Sequence, residues 1–524
     1  MLRRVIVGLL VAAALVLVVR LCTQAWLLLQ GLHTSNATLY WAMGRAMLNG
    51  REIYEQIFEN KPPGIFLLSA LSLALTGGAA LGNVLNAAIA VALPLAFAFV
   101  VWRRCAGMEN VLRHAWGENA FLLGGMVILF AAAHGGGWET EYIGSFFAAL
   151  YALSILPDRT AWKRIILQTA LLLAAMGMKE PFLLITLASA ALLCRSMRSF
   201  VEQWLLPMTC ALLIGSTVLL LMGIADGYTG IYLPLMLTKR VGSSLALWTK
   251  AVALHRITAH LWAFSVPMAL SAGTLLLGNI FLAFPLRERW KSILPLLVGL
   301  ALTLLAIGAG GDYQTHHFVL IVPLLLVLFL RLHKEAIALS LIPLPQQSTI
   351  VITVLALPLM FFCFFSPIPR VRALLQALYE EEHILRGDAA RIDAILDACA
   401  IPGYFFVQGL PIYGYTRHSP ENYFLFAALE HTLRSSPAIV ERTARNLAAT
   451  PVLVLSKHGY TAHTISPEES AFAAIIQQYI LDRFSQDPPP CAAALPRPLQ
   501  HRLLFRTDPR DHTLPFTYGE TALE

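Results

Sequence analysis

Charge is scarce in this chain. Only 13% of its 524 residues are Asp, Glu, Lys or Arg, while 57% are hydrophobic. Soluble globular chains carry about 25% charged and roughly 45–50% apolar residues. The shortage excludes a soluble enzyme, a disordered chain and a nucleic-acid-binding module. The formal net charge of +7 is what Lys and Arg retained in cytoplasmic loops leave behind in a membrane protein. Cysteine is sparse too: seven residues with no CxxC spacing, which excludes a Cys/His structural zinc site and a dense disulfide framework. Cys22, Cys105, Cys194, Cys210 and Cys363 fall in or beside apolar runs. Cys399 and Cys491 lie in polar sequence and can pair if that part lies outside the cytoplasm.

Also lacking are internal repeats and charges inside the apolar runs. Arg20 is the main exception, and it can snorkel outward from the first run. A transporter or flippase would carry midplane charges, repeated halves and broken helices. At the N-terminus, Arg3 and Arg4 precede the apolar Val5–Val19, as in a signal peptide. No small-x-small cleavage site follows, and Val19-Arg20-Leu21 before Cys22 is not a lipoprotein box. A retained signal-anchor helix is the expectation.

What is abundant is apolar runs near the ~20 residues needed to cross a bilayer. They are expected at 4–29, 82–102, 119–135, 141–157, 163–179, 181–195, 203–224, 259–284, 291–310, 316–332 and 348–366. Alternate joints hold Arg103/Arg104/Arg113, Arg159/Lys163/Arg164, Arg195/Arg198, Arg287/Arg289/Lys291 and Arg331/Lys334. Placing these and the N-terminus in the cytoplasm satisfies the positive-inside rule. The run 64–77 is too short for a full crossing and breaks the parity, so it reads as an interfacial or re-entrant helix. The expected fold is a polytopic α-helical membrane protein of about 11 transmembrane helices over 1–366. From 367 charges return, and short β-like stretches (403–409, 451–456) alternate with helix-like ones (371–399, 420–434, 467–484). That pattern reads as a small extracytoplasmic α/β domain over 367–524, with an irregular tail from Pro488–Pro490 onward.

The polar groups gather at the outer ends of the runs: Glu52, Glu55, Glu59 and Lys61 in the first external loop (30–63), then His134, Glu139, Glu141, Lys179, Glu180, Lys239, Arg240, Asp312, His316 and His317. One outer interface lined this way suits chemistry on a ligand whose lipid tail stays in the membrane. Within the first loop, 37–48 can form an amphipathic helix stopped by Asn49-Gly50. Pro62-Pro63 then opens the re-entrant segment. Each of these charges also has a plainer reading: Lys61 as a snorkelling helix-end lysine, and the carboxylates and the Lys239/Arg240 pair as solvated loop charges.

Tyr40, Gly50, Tyr54 and Lys61-Pro62-Pro63 together resemble the first external loop of GT-C glycosyltransferases. These are polytopic enzymes that use polyprenyl-phosphate-linked sugars, and they include the protein O-mannosyltransferases, the lipid A aminoarabinose transferase and the bacterial galacturonosyltransferase-like group. Trp138-Glu139-Thr140-Glu141 is similar to the family's second acidic position. His316-His317-Phe318 followed by Pro323 is similar to its His-Tyr-Phe and proline opening a late span. The resemblance implies a GT-C-like fold and sugar transfer from a polyprenyl-phosphate donor to a membrane lipid, glycan or protein acceptor. It implies inversion at the periplasmic face of a bacterial inner membrane, with no nucleic acid involved. By resemblance Glu141 is the first choice for the base, with Glu139 and Glu59 as alternates. Cations or a divalent metal would stabilise the departing phosphate, with Lys61, His316, Arg240 and Lys239 as its contacts and Glu59 and His316 as the candidate metal ligands. The family's acidic residue four positions before Tyr40 is absent, since Asn36 stands there and an amide cannot take a proton. A catalytically altered relative, or another lipid-carrier protein such as a ligase or flippase, is the alternative reading.

Overall fold

The structure is a computed structural model, and it describes residues 35–76, 139–155, 161–194, 196–237, 289–308, 315–328, 368–408, 412–422, 437–456, 478–499 and 501–508, with two isolated helical positions, 88 and 92. The expected spans 4–29, 119–135, 259–284 and 348–366 lie outside these residues, as does nearly all of 82–102.

Helix α1 (Ser35–Leu48) is followed by α2 (Pro63–Thr76), α3 (Thr140–Ser154), α4 (Ala161–Met178), α5 (Phe182–Leu193), α6 (Met197–Leu221) and α7 (Arg289–Gly308). Among the described residues, α6 is the one helix long and apolar enough to cross a membrane. It contains a π-helical turn at Val201–Leu205. Its outer face leaves Leu212, Leu213, Leu220 and Leu221 exposed, an apolar surface of the kind that faces lipid rather than water. By contrast α3 is buried on nearly every side, packing against α4, α5 and the 3-10 segment Thr315–Ile321. The expected re-entrant run is the 14-residue α2, begun by Pro63, whose fixed φ and missing N–H suit a first helical position.

The structure corrects one feature of α1. Instead of an amphipathic helix with a wet face, Thr38 to Gly44 are all buried, between α2 and the C-terminal part. Its end is as expected from Asn49-Gly50. Arg51 N–H donates to Ala46 and Gly50 N–H to Met47, with Gly50 at φ 76°. This pair of bonds closes a helix through a left-handed residue that glycine adopts without strain.

The C-terminal part starts with α8 (Ile368–Ala398) and builds a four-stranded sheet, with α9 (Pro437–Ala449) preceding its second strand. The strands are β1 (Phe405–Gln408), β2 (Val452–Ser456), β3 (Phe484–Ser485) and β4 (His501–Arg506). Their order is β1-β2-β4-β3: β1 runs parallel to β2, and β4 pairs antiparallel with both β2 and β3. The β-like stretches 403–409 and 451–456 contain β1 and β2, as their β-branched and aromatic content predicts. The irregular tail is not irregular. After the prolines it supplies Cys491, which is disulfide-bonded to Cys399 with Cα atoms 5.3 Å apart, and then β4, an interior strand of the sheet. The prolines mask a strand whose partners are remote in sequence. The buried Asp388 of α8 receives the Leu499 N–H, the His501 N–H at 3.1 Å and the His501 ring Nδ1 at 3.0 Å.

The C-terminal part and the first loop share one apolar core. The cluster runs from Leu39, Tyr40 and Met43 of α1 through Ile412 and Tyr413 to Val452, Leu503 and Phe505. A Cβ on Gly414 would stand 2.5 Å from the Thr38 Cβ, so the turn Ile412–Gly414 seats on α1 with no room for a side chain. First loop and C-terminal part therefore lie on the same side of any membrane that the helices cross.

Candidate functional site

Three separate segments deliver the site. Glu139 and Glu141 stand at the start of α3, Lys179 at the end of α4, and Lys61 just before α2. A close backbone approach explains why the two lysines meet. Gly64, three residues after Lys61, lies against Gly177, two residues before Lys179; a Cβ on Gly64 would fall 2.4 Å from the Gly177 carbonyl oxygen. Glycine at that crossing lets the α2 start touch the α4 end. The helix termini favour Glu141 at the start of α3 and Lys179 at the end of α4, since a carboxylate is stabilised at a helix start and a cation at a helix end; Lys61, before the start of α2, is held there by packing instead.

Glu141 is the hub and is 1% exposed. Its Oε1 pairs with the Lys179 Nζ, lies 4.0 Å from the Lys61 Nζ and 3.4 Å from the His317 Nε2. Its Oε2 accepts the Thr140 hydroxyl at 2.6 Å. Removing a carboxylate from such a buried set leaves a lysine uncompensated, at about 3–5 kcal/mol. His317 is carried on the 3-10 segment, which is pinned to α3 by the Ser145 hydroxyl donating to the Val319 carbonyl at 3.1 Å.

Beside this cationic group is an acidic one. Tyr40 is fully buried, and burial together with the charges of Glu139, Glu141 and Glu59 pushes its phenol well above the ordinary range. Glu59 is fully buried, and its charge also reaches Tyr54 and Tyr413. Glu141 is thus the seam between two lysines and a histidine on one side and a tyrosine ringed by carboxylates on the other. Lys61 is fixed through its own backbone: the Tyr54 hydroxyl donates to the Lys61 carbonyl at 2.8 Å. Tyr54 has φ 71°, a left-handed conformation that costs a non-glycine residue of the order of 1 kcal/mol or more. It is held by its N–H donating to Ile57 at 2.7 Å and by ring contacts with Phe58, Tyr228 and Tyr232. Tyr232 in turn hydrogen-bonds Glu180.

Of the residues singled out from the sequence, Lys61, Glu59, Glu139 and Glu141 come together. Lys239 and Arg240 lie outside the described residues, as do Arg20, His134 and Asp312. The His316 backbone lies in the 3-10 segment, but its side chain is outside the description; it is His317 that meets Glu141. Asn36 lies one turn before Tyr40 in α1. Among the described residues no group of three or more His, Cys, Asp or Glu side chains is placed to hold a metal ion, and around Glu141 it is ammonium groups that supply positive charge. Lys179 was visible as a charge ending an apolar run, but without a role. Ionisable groups so placed are functional candidates on physical grounds alone, and that signal was sufficient to find it. Nothing in the sequence pointed to Tyr413.

No family model matches the chain, and no curated protein matches it. Among solved structures it is similar to ArnT from Cupriavidus metallidurans bound to undecaprenyl phosphate. The likeness has 12% sequence identity and a TM-score of 0.47, over 95% of this chain and 97% of that one.

Proposed function

We propose that this chain is a membrane glycosyltransferase that moves a sugar from a polyprenyl-phosphate-linked donor to an acceptor at the periplasmic face, by inverting displacement. The observation that carries the reading is the convergence of Lys61, Lys179 and His317 on one buried carboxylate beside Tyr40, Glu139 and Glu59. A lipid phosphate is a leaving group that needs cations held ready for its developing charge. An acceptor hydroxyl needs a carboxylate within reach to take its proton.

In this reading the acceptor O–H gives its proton to Glu59 or Glu139 as its oxygen bonds to the sugar C1. The C1–O bond to phosphate breaks, and the polyprenyl phosphate leaves with the bonding pair toward Lys61 and Lys179. Glu141, the first choice for the base from the sequence, suits a different task here. Neutralised by two lysines, it orients them and is a poor proton acceptor. That transfers the base role lost at Asn36 to a carboxylate facing Tyr40. The Cys399–Cys491 disulfide supports an oxidising compartment for the C-terminal domain, and with it a periplasmic site and an inner-membrane location.

The test uses purified protein in nanodiscs with a panel of radiolabelled polyprenyl-phosphate sugars. Lys61→Ala should lower turnover by about 10²-fold or more. One of Glu59→Gln and Glu139→Gln should lower it by about 10²–10⁴-fold. Turnover that survives all three changes rejects the site. Saturable binding of undecaprenyl phosphate without turnover favours a catalytically altered relative, with Asn36 as the reason.

A further inference from the structure

We infer that the C-terminal domain positions the phosphate-binding lysine, with Arg442 and Arg51 as the positioning residues; this rests on the role just proposed for Lys61. The segment 49–62 that joins α1 to α2 carries Glu59 and Lys61, yet it has little regular structure of its own. Beyond the short bonds of its own turn, such as Tyr54 N–H to Ile57, it is held from elsewhere. Arg442 of α9 donates to the Glu55 carbonyl. Arg51 donates to the next carbonyl, Gln56, at 3.1 Å and to the Pro420 carbonyl at 2.6 Å, and it pairs with Glu421 at 3.8 Å. Asn49 Nδ2 donates to the Ser419 hydroxyl at 3.2 Å, and Arg45 donates to the Gly414 carbonyl at 3.3 Å.

Two consecutive carbonyls are thus held by arginines, one from the C-terminal domain and one tied to it. Immediately before them is Tyr54, in its left-handed conformation, whose hydroxyl fixes the Lys61 carbonyl. The route is continuous: α9 holds Glu55, Glu55 holds the turn at Tyr54, and Tyr54 holds Lys61 within 4.0 Å of Glu141. A turn strained at Tyr54 is the place where releasing an outside hydrogen bond would let the loop relax. The C-terminal domain therefore does more than cover the loop; through Tyr54 it sets the geometry of Lys61.

The experiment is a double-mutant cycle on the full-length protein in nanodiscs, reading the affinity for undecaprenyl phosphate, with the thermal midpoint as a control of folding. Arg442→Ala should weaken binding about tenfold, as expected for a lost charged hydrogen bond, and Arg442→Lys should restore most of it. In the Lys61→Ala background, Arg442→Ala should change affinity less than about twofold, because the residue it acts through is gone. Equal weakening in both backgrounds overturns the inference, as does unchanged binding by Arg442→Ala while Lys61→Ala weakens it. If Lys61→Ala itself has no effect, the phosphate role falls and this inference falls with it. Should Arg442→Ala fail to fold, Arg51→Lys, which keeps the charge but loses the forked contact to Gln56 and Pro420, enters the same cycle under the same criteria.

Discussion

Adding one methyl group at Gly64 should damage the site, while adding one at Gly177, its partner across the same contact, should not. A Cβ at Gly64 would stand 2.4 Å from the Gly177 carbonyl oxygen and 2.6 Å from its carbon. Both are backbone atoms, so neither can rotate away, and contacts below about 3.0 Å are not tolerated. The α2 start and the α4 end must therefore part by roughly 0.6 Å. Overpacking of this kind costs about 1–3 kcal/mol. Carrying Lys61 from 4.0 Å to about 4.6 Å from Glu141 removes a further ~0.5 kcal/mol at an effective dielectric of about 20. Misplacement by as much as 1 Å can cost about a hundredfold in rate, so a tenfold loss of turnover is the scale expected. A Cβ at Gly177 meets only the Gly64 Cα at 3.7 Å, an ordinary contact. Gly177 lies in the last turn of α4, where alanine gains about 0.5–1 kcal/mol of helix stability. Thermal unfolding in detergent and polyprenyl-phosphate-sugar consumption should therefore separate the variants. Gly64→Ala should be destabilised by about 1.5–3.5 kcal/mol and impaired, and Gly177→Ala should be at least as stable as wild type. A Gly64→Ala protein of wild-type stability and turnover would refute the reasoning, as would equal damage from the two substitutions.

Two further outcomes concern the C-terminal domain. The Cys399–Cys491 bond joins residues 92 apart, and closing a loop of that size stabilises by roughly 4–5 kcal/mol in the chain-entropy treatment. Cys399→Ser/Cys491→Ser should therefore lower the urea midpoint clearly, and an unchanged midpoint would show that the bond contributes nothing. Asp397, at the end of α8, is hydrogen-bonded by His418 at 2.9 Å and by Arg417, and these bonds hold its carboxyl below the ordinary value of 3.8. A depressed folded value gives stability that is full above the unfolded value and is lost as pH falls through the folded one. Urea titrations of wild type and Asp397→Asn should converge on acidification below about pH 4 and diverge above it; parallel curves throughout would reject the pairing.

Several features were legible because they depend on local chemistry. The α1 stop at Asn49-Gly50 was readable because a left-handed helix end favours glycine. The α2 start at Pro63 was readable because proline suits a first turn, and strands β1 and β2 because their residues are apolar, aromatic and β-branched. The buried character of α1 was not, because its second covering surface comes from residues 412–414, more than 360 positions away. The interior strand β4 was missed for a similar reason: a proline run looks like a tail until its partner strands, near 453 and 485, are in place.

By itself the sequence determined the expectation of a membrane-embedded chain, since repeated apolar runs near ~20 residues with so few charges suit lipid better than water. It also determined which polar groups stand at the ends of apolar runs, among them Lys61, Glu139 and Glu141, because spacing along the chain fixes where a run ends. Only the tertiary structure decided that Lys179 and His317 join them while the Glu141 carboxylate is taken up by lysines. That outcome hangs on one glycine–glycine backbone contact and on a loop held by Arg442 of a distant domain and by its own Arg51. Contacts of that kind are between residues with no periodic relation in sequence, and packing alone selects them.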